Sequence, residues 1–213
     1  MSPSSSGARI SSTARIGRVG RERKKGVVVA KSSKAEQAET RTSARRAAIL
    51  VAARDRAEAE GWAAVTTRRL AEAIGYSQPV LYGHFRGGKT EIMRAVALEG
   101  FVELRLRCAA AVEQAADASA VDALAGAYLD FAGDHPAVYE AMFAQPIGAR
   151  FAEEGNEPEL RGAFTVLAEV IGDDTAAEVF WSALHGMSLL EAAGRMKIED
   201  RTRRIGELTA RFP

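Results

Sequence analysis

The chain has 213 residues, enough for one large domain or two small ones, and an apolar content of 47%, which suits a globular protein. No apolar run approaches the ~20 residues that a membrane helix needs. The single cysteine, Cys108, excludes an internal disulfide and fits a reducing cytoplasm. The net charge of +1 hides a division: residues 1–40 hold nine Lys/Arg and three Asp/Glu, residues 41–100 hold ten and six, and residues 101–213 hold ten and nineteen. Only the basic first part is suited to face a polyanion. Alanine is abundant, proline scarce and β-branched runs short, so an all-α fold of about nine helices is expected.

Residues 1–40 are rich in Ser, Gly, Arg and Lys and show no helical period, so they read as a disordered basic tail. Three readings stay open for it: a solvated tail, an arm for an adjacent minor groove, or a stretch ahead of a true start at Val27, Val28 or Val29. It lacks the apolar segment of a secretion signal. The first helix is expected from Ser43 to Glu60, with Ala47, Ile49, Leu50, Ala53 and Ala57 facing inward and Gly61 ending it.

The next stretch, Thr66 to Phe85, carries the most information. Thr66 caps a short helix whose apolar face is Leu70, Ala71 and Ile74, and Gly75 stops it. Ser77 is placed to cap a second helix, with Pro79 in its first turn, where a missing N–H costs little. Tyr76 and Leu81 have the spacing of a hydrophobic staple. Two short helices joined by a tight turn make a helix-turn-helix, whose second helix suits a DNA major groove. Thr66, Leu70-Ala71, Gly75, Ser77, Leu81-Tyr82, His84-Phe85 and Lys89, preceded by Ile49-Leu50, Ala52-Ala53 and Glu60-Gly61-Trp62, resemble the DNA-binding signature of the tetracycline-repressor (TetR) family of bacterial transcription regulators. Tyr76 and Gly83 depart from the family pattern. Gly83 offers no side chain to a base and weakens its helix by roughly 1 kcal/mol relative to alanine.

A fourth helix is expected from Lys89 or Thr90 to about Ala116, with Gly100 as a bend. Ser119 is placed to cap a fifth, and Asp134-His135-Pro136 opens a short sixth that ends near Phe143. Gln145 to Asn156 reads as a loop, Pro158 to Ile171 as a helix, Asp173-Asp174 as the start of one ending at Gly194, and Glu199 to Arg211 as the last. Trp181 with His185-Gly186, and His135 to Tyr139 with Met142-Phe143, are similar to a branch of TetR-type regulators with a Trp…His-Gly C-terminal domain. The expected domains are a tail over 1–40, a helix-turn-helix domain over 41–88 and an effector-binding and dimerisation domain over 89–213.

Gln78 can make a bidentate contact to adenine, and Pro79 and Val80 can meet a thymine methyl. By resemblance, Thr66, Tyr82, His84 and Lys89 meet phosphates, with Ser77, Arg68 and Arg45 as further candidates; Tyr82 and His84 could instead only hold the domain together. The resemblance also implies double-stranded operator DNA as partner, a homodimer, a small-molecule effector and a cytoplasmic, nucleoid-associated protein, with no cofactor, metal or membrane. Effector candidates are Phe101, Tyr128, Phe131, Tyr139, Met142, Phe143, Trp181 and His185. Candidates for the dimer seam are Phe180, Leu184, Met187, Ile205, Leu208 and Phe212, on helices where Val179, Ala183, Leu190 and Ile198 also recur.

Enzyme chemistry finds no support in the sequence. The three histidines, 84, 135 and 185, lack metal-ligand spacing. There is no nucleophile elbow, and Gly87-Gly88-Lys89-Thr90 lacks the upstream glycine of a phosphate loop. The competing class is an architectural DNA-binding protein that relies on its basic tail.

Overall fold

The computed structural model describes residues 33–115, 120–144 and 157–212. Among these residues there are nine α-helices and no strands: α1 (Lys34–Glu60), α2 (Thr67–Ala73), α3 (Gln78–His84), α4 (Gly88–Gln114), α5 (Ala120–Asp134), α6 (Pro136–Ala144), α7 (Pro158–Ile171), α8 (Asp174–Ala192) and α9 (Arg201–Thr209). Single 3-10 turns at Trp62–Ala64 and Ile198–Asp200 precede α2 and α9. No helix among the described residues is long and apolar enough to cross a membrane. The expected tail over residues 1–32, the Ser119 cap and the 145–156 loop lie outside the described residues.

The first helix begins nine residues earlier than expected. Ser33 and Glu36 form a reciprocal capping box: the Ser33 N–H donates to Glu36 Oε2 at 2.6 Å and the Glu36 N–H to Ser33 Oγ at 3.2 Å. Residues 34–40, assigned from composition to the tail, are therefore helical. Ala47 is exposed, and the first residue of α1 to enter the core is Ile49.

The helix-turn-helix closes on Leu70, Leu81 and Phe85, all fully buried with Ile49 of α1. Burying each such side chain contributes roughly 1.5–3 kcal/mol. Thr66 Oγ accepts from the Arg69 N–H at 3.2 Å and so caps α2. Gly75 adopts φ 69°, the left-handed conformation that the turn requires and that glycine takes without strain. Ser77 occupies the N-cap of α3, but its side chain makes no capping hydrogen bond, and Pro79 lies in the first turn as expected.

The long α4 joins the two units. It packs on α1 and on α5, α6 and α7, and its Ile92, Met93, Val96, Phe101, Leu104 and Cys108 belong to one continuous core with the buried residues of the helix-turn-helix. The helix runs unbroken through Gly100, which acts as a close-approach point rather than a bend. A Cβ there would lie 2.6 Å from Val138 Cγ1 and 2.8 Å from Met142 Sδ of α6. Helix α9 docks on α5 and α8. Arg201 bonds Asp130 and Glu191, Arg204 bonds Glu191, and Thr209 donates to Asp122 at 2.5 Å. Burial alone would raise the Glu191 carboxyl, but hydrogen bonds from Arg201 and Arg204 outweigh it and hold that carboxyl below its usual range.

Candidate nucleic-acid interface and effector site

The outer side of α2 and α3 is polar where the inner side is core. Thr66, Arg68, Ser77, Gln78, Pro79 and Tyr82 are exposed, while Val80 and His84 are half-buried. The Tyr82 hydroxyl lies 3.5 Å from Thr67 Oγ1, which steadies a side chain that otherwise stands in solvent. Arg68 pairs with Glu72 at 2.9 Å. Both partners are largely exposed, so the pair contributes little and a phosphate can replace the carboxylate. Arg45 reaches from α1 over the Tyr76 ring, its Cζ 5.7 Å from the ring centroid. Lys89 is half-buried, and its ammonium donates to the Trp62 carbonyl and ties the start of α4 to the 3-10 turn before α2. That bond holds in place a charge that sequence reading left free for phosphate.

The second candidate site lies among α4, α5, α6 and α8. Phe143 is at its centre, with ring centroids 5.7 Å from Phe101, 4.6 Å from Tyr139, 5.9 Å from Trp181 and 4.6 Å from His185. A buried polar relay runs beside these rings. Trp181 Nε1–H donates to the Tyr128 hydroxyl at 2.7 Å, which lies 2.8 Å from the Tyr139 hydroxyl. Tyr139 in turn lies 2.7 Å from His185 Nδ1 and accepts from Ser188 Oγ at 2.8 Å. The indole can only donate and Tyr128 is fully buried, so the Tyr128 hydroxyl must donate onward to Tyr139. Burial pushes the Tyr139 phenol up to about 12, against the hydrogen bonds from Ser188 and Tyr128, and lowers the His185 pKa. The relay is therefore made of neutral groups at neutral pH.

Two of the effector candidates sit outside this cluster. Phe131 is fully buried, and its ring meets His135 at 5.4 Å and Arg107 at 5.6 Å. Met142 packs on Gly100. Between Phe101, Leu104, Tyr128, Phe164 and Trp181 there remains a cavity of about 10 Å³, room for about one water. A larger cleft of about 270 Å³, which sequence reading missed, lies further along α8, lined by Leu129, Pro136, Ser188, Glu191, Ile198 and Arg201. Its residues come from elements well separated along the chain, so no local pattern marks it.

The two sites are joined directly through α6. Both carboxylate oxygens of Glu58, on α1, accept from the first turn of α6: Oε2 from the Ala137 N–H at 3.0 Å and Oε1 from the Val138 N–H at 3.1 Å. Trp62 Nε1 donates to the Ala137 carbonyl at 2.7 Å. Nearby, Arg54 pairs with Glu103 at 2.8 Å, and Glu103 lies 3.2 Å from His135. Helix α6 is thus held at its first turn by α1 and Trp62, and carries Tyr139 directly after that anchor and Phe143 near its other end. Sequence reading missed Glu58, an ordinary surface-helix residue by pattern.

The proposed dimer seam also changes. Phe180 and Leu184 are fully buried in their own chain, and Phe180 stacks edge-on with Phe212 at 5.0 Å. Met187, Ile205, Leu208 and Phe212 are half-buried against the same core. The outward face of α8 is instead Val179, Ala183, Gly186 and Leu190, with Leu189 beside it; Val179 is 58% and Leu190 41% exposed. Helix α8 is apolar on two sides, and periodicity alone could not say which side meets its own core.

Comparison with known proteins agrees with this architecture. Residues 49–96 match the family model described as bacterial regulatory proteins, tetR family, and residues 121–212 match the tetracyclin repressor-like C-terminal domain. An uncharacterised HTH-type transcriptional regulator of Mycobacterium tuberculosis, Rv0681, is 34% identical over 149 residues, which cover 64% of this chain and 65% of that protein, just under two thirds of its length. A protein of unknown function from Rhodococcus sp. RHA1 superposes with a TM-score of 0.65 at 23% identity, over 78% of this chain and 92% of the other. PfmR from Thermus thermophilus, a TetR family transcriptional regulator, gives 0.55 at 23% identity, over 76% and 97%. At such identities the two structures speak for the fold alone. With both family models matched in order along one all-α chain, the protein belongs to the TetR family of bacterial transcription regulators, a group of transcription factors rather than enzymes.

Proposed function

We propose that the protein is a ligand-responsive repressor that binds a near-palindromic double-stranded operator as a homodimer and leaves it when a small molecule enters the second domain. The observation that carries this reading is the exposed polar face of α2 and α3 over a rigid apolar underside. On this reading Gln78, with Pro79 and Val80, reads base edges. Thr66, Arg68, Ser77, Tyr82, His84 and Arg45 face phosphates, which set register without specifying sequence. Lys89 contributes mainly by fixing α4.

The dimer forms through the Val179–Ala183–Gly186–Leu190 face of α8, whose i, i+4, i+7, i+11 spacing suits an antiparallel or parallel helix pair across a two-fold axis. The effector site is the Phe101, Tyr128, Tyr139, Phe143, Trp181 and His185 cluster. A drug-sized ligand of several hundred Å³ entering between these rings displaces Phe143 or Trp181. Displacing Phe143 moves α6, and Glu58 and Trp62 pass that movement to α1. The ligand thereby shifts the population of half-site spacings. Thermal-shift screening of metabolites, followed by an operator-release assay with each hit, tests the reading. It predicts a compound that raises Tm and lowers operator affinity, and a compound that raises Tm without touching affinity in any operator context would contradict the coupling.

A further inference from the structure

The N-terminal half of α1 contributes no residue to the core of the described residues. Every residue from Lys34 to Ala47 is exposed. At 1.5 Å per residue, this stretch carries the helix about 20 Å beyond its first core contact. A helix end without an apolar face gains no stability from burial. Yet its start is specified by the full capping box of Ser33 and Glu36.

Its charges are sorted by face. At 100° per residue, Lys34, Arg41 and Arg45 fall within about 40° of one another around the helix. The Glu36 carboxylate is taken up by the cap, and Glu39 falls about 140° from Lys34. Among the described residues, Lys34, Arg41 and Arg45 have no carboxylate partner. Arg54, Arg56, Arg68 and Arg69, in the same unit, each have one. The direction of the basic face is fixed at its inner end, where Arg45 lies over Tyr76, two residues before Gln78 at the start of α3. The neighbouring Arg46 turns to the other side and lies over the Phe85 ring at 4.3 Å.

We infer that Lys34 and Arg41, in line with Arg45, form a phosphate-contacting rail that extends operator binding along α1 beyond the base-reading helix. A run of unpaired cations on one side of a solvent-exposed helix, continuous with the start of α3, complements a phosphate backbone. The inference rests on the operator-binding reading above and adds two residues and a second contact surface to it.

The test uses the full chain and a Lys34→Gln/Arg41→Gln variant, with binding to one operator duplex measured across a salt series. Each lost phosphate contact should flatten the slope of log K against log salt by about 0.9, so a dimer losing four should flatten by about 3.6. Between 50 and 200 mM salt, that change shrinks the loss of affinity by about 100-fold. Base preference, measured on a randomised duplex pool, should stay as in wild type, and circular dichroism should show the helix content retained. An Arg195→Gln/Lys197→Gln variant removes two exposed charges from the opposite unit and should keep the wild-type slope. If the rail variant keeps the wild-type slope, or matches this control, while wild type still selects its operator, the rail is overturned and the operator reading stands. Altered base preference in the rail variant would likewise overturn the phosphate assignment. A wild-type protein that selects no duplex at any salt would overturn both.

Discussion

The α2–α3 unit and α8 are both helical surfaces with polar and apolar residues intermixed, but they divide them differently. In α2 and α3 the large apolar residues Leu70, Leu81 and Phe85 all turn inward, and the outer side is polar or small apart from Pro79, Tyr82 and the half-buried Val80. Helix α8 buries Phe180 and Leu184 and still presents Val179, Leu189 and Leu190 to solvent. A helix with one apolar side has one partner, its own core. A helix with two needs a second partner, and here that partner is read as another copy of the chain.

The sharpest way to break this comparison is to change one residue on each side of α8. Leu184→Ala should lower the unfolding free energy by about 2–5 kcal/mol, because it empties a fully buried position. Leu190→Glu should instead give a folded monomer by light scattering, with weaker operator binding, because two linked half-sites reinforce each other. A folded Leu190→Glu protein that stays dimeric would remove this face from the seam. The next largest effect is expected at Gly100. The new Cβ of Gly100→Ala meets Val138 and Met142, and denaturant titration should show a loss of about 1–3 kcal/mol despite the better helix propensity of alanine.

Smaller still is Glu58→Ala, which removes a carboxylate cap from α6. Stability should fall by about 1–2 kcal/mol, and effector should release the operator less efficiently from this variant than from wild type. Equal release would place the coupling elsewhere. The smallest effect is a pH dependence. Burial lowers the His185 pKa, so the unfolded chain takes up that proton more readily than the folded one. The stability tied to neutral His185 is whole above about pH 6.5 and is lost as pH falls below it. Urea midpoints of wild type and His185→Gln should converge on acidification from pH 7 to 5, and a constant difference would contradict the assignment.

Much of the fold is legible in the chain. Thr66, Gly75 and Pro79 act through local backbone chemistry, which spacing reveals, and the ends of α6, α7 and α8 follow from Pro136, Pro158 and Asp173 in the same way. The early start of α1 was also encoded, in Ser33 and Glu36, but the polar composition around them concealed it. What spacing could not give were relations between distant elements. Phe131 turns toward Arg107 and His135 instead of the aromatic cluster, and Phe180 and Leu184 turn toward their own core instead of a partner. Lys89 reaches the Trp62 carbonyl, and Glu58 reaches α6 across about eighty residues of sequence. Each depends on which of two chemically acceptable neighbours lies nearer in the fold.

The central claim is that the α2–α3 face reads DNA sequence through Gln78. Its most direct test is enrichment of bound sequences from a randomised duplex pool, with wild type and Gln78→Ala side by side. The account predicts that wild type enriches a near-palindromic site and that Gln78→Ala loses discrimination at one symmetric position in each half-site, at a cost of about 1–3 kcal/mol for that base pair. Identical sequence profiles for the two proteins, or no enrichment by wild type, would contradict it.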